Sequence, residues 1–168
     1  GGSKNRNSFS RTNQNGPKEY GFRGNSQNLD LNRDFIKCDS RNAISFNKLY
    51  TSWSPDIYLE THTSDGADYP YTMTLVNTVG EKLGKPLAQI MQHLLLPDFS
   101  KEMKKANDEI VPYVNVEDIP DNGIYAFYES PRFSTGYASL HHTISFLTET
   151  HMLKPFPKRV NSTIRFEK

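Results

Sequence analysis

The chain has 168 residues, enough for about one domain, and its 20 Lys and Arg against 19 Asp and Glu leave a net charge of +1. The basic residues are scattered, which argues against nucleic acid as a partner. No apolar stretch is long enough to span a membrane. The single Cys38 excludes an internal disulfide and any zinc-finger pattern, and reads as a small buried or half-buried residue.

The opening stretch, Gly1 to Asn28, is dense in Gly, Asn, Ser, Arg and Lys and has almost no apolar periodicity. A segment of that length is either disordered or a functional loop laid over a scaffold. The mean hydropathy of −0.70 agrees that the chain is poor in core. A short "LDL" (Leu29 to Leu31) leads into "NRDF". From Asn42 to Trp53 the residues Ala43, Phe46, Leu49, Tyr50 and Trp53 recur at helical spacing, with Asp39 or Ser40 available as N-cap.

Ile57 to Leu59, opened by Pro55 and closed by "SDGAD", predicts a buried strand with His62 at its carboxyl end. Ligands bind beyond the carboxyl ends of strands in open α/β sheets, so this imidazole has a metal or catalytic reading beside the plainer one of a solvated or hydrogen-bonded side chain. Tyr71 to Val76 reads as a strand or a helix start. Val79 to Leu96 is helix-like but broken at Gly84 and Pro86, and Phe99 to Ile110 reads as a surface helix. Gly123 to Glu129 alternates as a strand, Thr135 to Ile144 reads as a helix, Ser145 to Thr150 as a strand, and the final segment as a helix opened by Pro157. Strands alternating with helices predict an α/β fold with a mixed, mostly parallel sheet flanked by helices.

Three pieces in order, "NLDLNRDF" at Asn28 to Phe35, "PDIYLETHTSDGADY" and "TISFLTETHM" at Thr143 to Met152, resemble the zinc metallocarboxypeptidases of the carboxypeptidase A type, in a bacterial branch with a long polar loop ahead of its Asn-Arg motif. The likeness runs from about Asn5 to Val160. It implies peptide or protein C-termini as substrates, zinc as cofactor and a secreted or periplasmic location. By the same resemblance His62 is the last of three zinc ligands, and Asn32 and Arg33 grip the substrate's terminal carboxylate, Arg33 through its planar fork. Arg11 polarises the scissile carbonyl, with Arg6 and Arg23 as rival positions, and Glu149 is the catalytic glutamate. The capping tyrosine falls at Tyr128, with Phe127 beside it and Tyr137 as the other candidate, and Ser134 lies near the side-chain pocket.

One departure from that pattern is plain. The family's first two ligands come from a His-x-x-Glu motif ahead of the Asn-Arg pair, and none of the five histidines here is followed three residues later by Glu. The expectation is a single partial domain over residues 1–168, the C-terminal portion of a catalytic domain of roughly 300 residues, whose partner is its own missing N-terminal half. Two other readings stand beside it: a metal-free relative that binds peptide or glycan-peptide ends, and an inactive fragment. His141 and His142 read as packing or surface residues. Glu149 could instead pair with Lys154 or Arg159, and Arg33 with Asp34.

Overall fold

The structure is a computed structural model that describes residues 23–65 and 68–168. The expected loop over residues 1–28 lies largely outside them, as do Arg6 and Arg11. A 3-10 turn (Leu31–Arg33) leads into helix α1 (Arg41–Trp53), whose N-cap Ser40 accepts the Ala43 N–H through its hydroxyl and whose C-cap Ser54 takes the left-handed conformation at φ 47°. Strand β1 spans Ile57–Ser64 and β2 spans Met73–Asn77. The interrupted helical region resolves into α2 (Gly80–Leu83), α3 (Lys85–Ile90), a π-helical turn (Met91–Leu95) and α4 (Leu96–Lys105). Gly84 breaks the run at φ 77°. The widened π turn lies just ahead of Pro97, whose ring would otherwise meet the carbonyl of His93.

Short strands β3 (Ile110–Pro112), β4 (Val114–Val116) and β5 (Ile124–Ala126) follow, then α5 (Ser134–Ser139), β6 (Ile144–His151) and α6 (Phe156–Phe166). Among the described residues the main sheet runs β1-β6-β2-β3, with β1 parallel to β6, β6 antiparallel to β2 and β2 parallel to β3; β4 and β5 form a separate antiparallel pair. The fold is the expected mixed α/β sheet flanked by helices.

Several expectations need correction in detail. β1 continues through the polar residues 60–64, because pairing with β6 satisfies its backbone where local hydrophobicity gives no signal. His62 therefore lies inside the strand and not after its end. The predicted Phe99 to Ile110 helix is the second half of α4, and Ile110 belongs to β3. The helix predicted from Thr135 to Ile144 stops at Ser139, and His142 turns the chain into β6 at φ 55°.

The two faces of the sheet differ. On one, Met73, Leu75, Ile110, Ile144 and Phe146 pack with Leu83, Met91 and Met103 from the helical region and with Phe166 of α6. On the other, Tyr58 meets an aromatic cluster of Phe35, Phe46, Tyr50 and Tyr137 that joins α1 and α5. Side chains alternate along a strand, so Tyr58, Glu60 and His62 share this second face, apolar where the aromatics cover it and polar further along. The apolar stripe foreseen on α1 is only half covered: Ala43 and Tyr50 are buried, whereas Leu49 is exposed and Trp53 is 79% exposed.

Phe146, at 1% exposure, and Trp53 therefore respond oppositely to truncation. Phe146→Ala is expected to destabilise the chain by about 3–5 kcal/mol through transfer and cavity terms. Trp53→Ala is expected to change stability by no more than about 0.5 kcal/mol. Urea unfolding of the two variants checks both values.

Candidate functional site

The register of β1 against β6 sets Glu60 opposite Leu147, His62 opposite Glu149 and Ser64 opposite His151, while Thr74 of β2 faces Glu149 from its other side. Side chains opposite one another on the same face are close enough to interact. His62 Nε2 lies 2.8 Å from Glu60 Oε1, and its Nδ1 lies 3.6 Å from Glu149 Oε1. All three side chains are largely buried. Glu60 Oε2 and Glu149 Oε2 are buried without a hydrogen-bond partner among the described residues. Burial alone would lower the basicity of His62, but its contacts with Glu149 and Glu60 outweigh that and push its pKa up to about 9. The ring is a cation at neutral pH, held between two carboxylates.

Glu149 does not pair with Lys154, which instead bonds Asp68 and the Tyr69 carbonyl. Nor does Arg33 pair with Asp34. The Asp34 carboxylate is buried and accepts the N–H groups of Asp39 and Ser40 at 2.8 and 2.9 Å, tying the end of "NRDF" to the start of α1. This leaves the Arg33 guanidinium to donate to the Asn32 carbonyl at 2.7 Å and to lie over the Phe133 ring, 4.4 Å from its centre. Burial lowers the Arg33 pKa, with the charges of Arg23 and Arg132 acting the same way against those of Asp30 and Glu149. It stays charged. Asn32 Oδ1 is buried without a hydrogen-bond partner among the described residues.

Phe133 is held by its own chain. Its N–H donates to the Ser130 carbonyl, and α5 lies so close to the Ser130–Pro131 backbone that a Cβ on Gly136 would fall 2.2 Å from Ser130 O. The adjoining Glu129 is buried and accepts the Val79 N–H at 2.6 Å, with Lys82 Nζ 3.5 Å away. Phe127 stacks edge-on between Tyr113 and Phe133.

The structure thus brings His62 and Glu149 together and sets Arg33 within reach of the charge of Glu149. The tyrosine candidates are placed elsewhere. Tyr128 is 78% exposed, with Lys82 over its ring. Tyr137 is 4% exposed and gives its hydroxyl to Asn47 at 2.5 Å inside the aromatic cluster, because the apolar stripe of α1 claims its ring. Ser134 is fully buried. His141 and His142 are exposed, and His151 is buried with Nδ1 3.6 Å from Asp68. Two residues of the site were not singled out from the sequence. Glu60 shares a strand face with His62 at a spacing of two residues, a signal present once β1 is extended. Tyr113, whose pKa burial raises first and the charges of Glu149 and Asp65 raise further, has no comparable local signature.

Catalytic zinc takes three protein ligands. Here both ring nitrogens of His62 face carboxylates, and among the described residues no group of three His, Cys, Asp or Glu is arranged to hold a metal ion. These residues do not make a zinc site by themselves.

No known protein family matches the chain, and no curated protein does. Among solved structures, the crystal structure of a metallo-carboxypeptidase from Burkholderia cenocepacia matches with a TM-score of 0.57 and 14% sequence identity. The match covers 87% of this chain and 39% of that one. The likeness is one of fold.

Two outcomes follow. Gly136→Ala is expected to destabilise the chain by about 1–3 kcal/mol, because the Ser130–Pro131 backbone must move to admit the methyl group; urea unfolding measures the loss. In the metal-free chain the folded His62 holds its proton to about pH 9, whereas the unfolded side chain releases it near about pH 6.5. Between these values the native state binds more protons, so stability is fully present below the lower one and falls as pH rises, by roughly 1.4 kcal/mol per unit. Glu60→Gln should flatten that slope in unfolding measured across the pH range.

Proposed function

We propose that this chain is the C-terminal portion of a zinc metallocarboxypeptidase domain that hydrolyses C-terminal peptide bonds. The observation that carries the reading is the juxtaposition of His62 and Glu149 across β1 and β6 with Arg33 nearby. The fold of the solved metallo-carboxypeptidase and the 39% of its length that this chain spans support it. Arg33, its guanidinium plane braced on Phe133, and Asn32, with its unpartnered carbonyl oxygen turned inward, bind the terminal residue of the substrate, Arg33 gripping the carboxylate through paired N–H donors. Glu149 takes the proton of the attacking water and returns it to the amine as the C–N bond breaks. His62 contributes one ligand, and the other ligands come from the rest of the domain. That remainder docks along β1, which is the edge of the main sheet among the described residues, since a long edge strand calls for cover.

A specific observation favours a second reading. The imidazolium of His62 is already neutralised by Glu60 and Glu149, an arrangement suited to a metal-free protein that binds peptide carboxylates without cleaving them.

Calorimetry with an N-acetylated dipeptide and its C-terminal amide separates carboxylate binding from general peptide binding. The free acid should bind more tightly, and Arg33→Ala should weaken it by about 10–100-fold, in line with a lost charge-assisted hydrogen bond. Equal binding of acid and amide would sink the assignment of Arg33. Elemental analysis of the dialysed chain is expected to find well under one zinc per chain; a full equivalent that His62→Ala removes would mean the ligands all lie within it.

A further inference from the structure

Arg33 shares its aromatic brace with a second guanidinium. Arg132 lies 5.6 Å from the centre of the same Phe133 ring over which Arg33 sits at 4.4 Å. The two positive charges are therefore no farther apart than those two distances laid end to end. Their mutual repulsion is one of the influences that lower the Arg33 pKa. Other cations nearby are matched: Arg23 pairs with Asp30 at 2.7 Å and Lys37 with Asp39 at 2.5 Å. Arg33 and Arg132 have no ion-pair partner among the described residues. The buried carboxylate of Asp34 is committed to backbone N–H groups, and that of Glu149 faces His62.

The two like charges on one ring repel each other, and an anion set between or beside them relieves that repulsion and is attracted by both. One carboxylate on Arg33 leaves Arg132 unanswered. We propose that the site selects peptides whose C-terminal residue is itself acidic, Glu or Asp, with Arg33 taking the main-chain carboxylate and Arg132 the side-chain carboxylate. This deepens the proposed function and rests on its assignment of Arg33. A terminal Glu or Asp carries its two carboxylates only a few bonds apart, which suits two guanidiniums fixed on one ring. Arg132 follows Pro131 and lies on a segment anchored by buried Glu129 and by the close approach of Gly136, so its backbone is placed as firmly as that of Phe133. Its side chain is exposed, so the effect is one of selectivity and is screened by salt.

The test is calorimetry on the 168-residue chain with N-acetylated dipeptides ending in Glu or in Leu, each as free acid and as C-terminal amide, at low and high salt. Wild type should favour the Glu acid over the Leu acid by about tenfold at low salt, the size of one exposed charge-assisted contact. Arg132→Gln should bring that ratio close to one, and Arg132→Lys should restore part of it. High salt should compress it. A ratio near one in wild type would overturn the proposal, as would a preference for Glu that survives in Arg132→Gln. If neither acid binds better than its amide, the assignment of Arg33 fails and this one with it. If acids are favoured over amides without regard to the terminal side chain, the assignment of Arg33 stands and that of Arg132 falls.

Discussion

The parallel pairing of β1 with β6 is the constraint on which the rest depends. It sets Glu60 and His62 on one strand against Glu149 on the next, and one residue of slip would turn each set of side chains to the opposite face. The same pairing places Ile144 and Phe146 on the apolar face with Leu59, so the register that fills the core is the register that assembles the site. Pairs at both ends reinforce it. Thr143 donates its hydroxyl to the Pro55 carbonyl at the start, and the Met152 N–H reaches the Ser64 carbonyl at the finish.

The second half of the site hangs on a different set of contacts. Arg33 is held between Asp34, which fixes the turn into α1, and Phe133, whose segment is packed against Gly136. These contacts explain why two short segments far apart in sequence, "NRDF" and "SPRF", come to one place.

Much of the fold was legible in the sequence because it rests on local signals. The stripe Ala43, Phe46, Tyr50 and the N-cap Ser40 mark α1, and the run from Ser145 to Thr150 marks all but the ends of β6. The second half of β1 was not legible, because "ETHTS" has no strand signature until β6 supplies its hydrogen bonds. The same holds for β4 and β3, which are three residues long and defined by their partners. For the candidate site, His62, Arg33 and Glu149 were picked out through the family resemblance, and the structure places His62 beside Glu149. Where the Tyr137 ring lies was not legible, because an aromatic on a short helix reads alike whether it faces a cleft or a core, and only packing against α1 decides which. Glu60 and Arg132 escaped notice for the opposite reason, since a single charge in a polar stretch has meaning only once its neighbours in space are known.

The separation in sequence between the two central strands bears on how the molecule reaches its native state. His62 and Thr150, bonded through a hydroxyl and a carbonyl, are 88 residues apart. Bringing β1 beside β6 closes a loop that holds nearly all the intervening elements, and the entropy of that closure must be met before any of the site's contacts exist. His62 and Glu149 come together only through that long closure, whereas α1 rests on contacts local in sequence. Contact between His62 and Glu149 thus reports on the long-range part of the fold in a way that helix content does not.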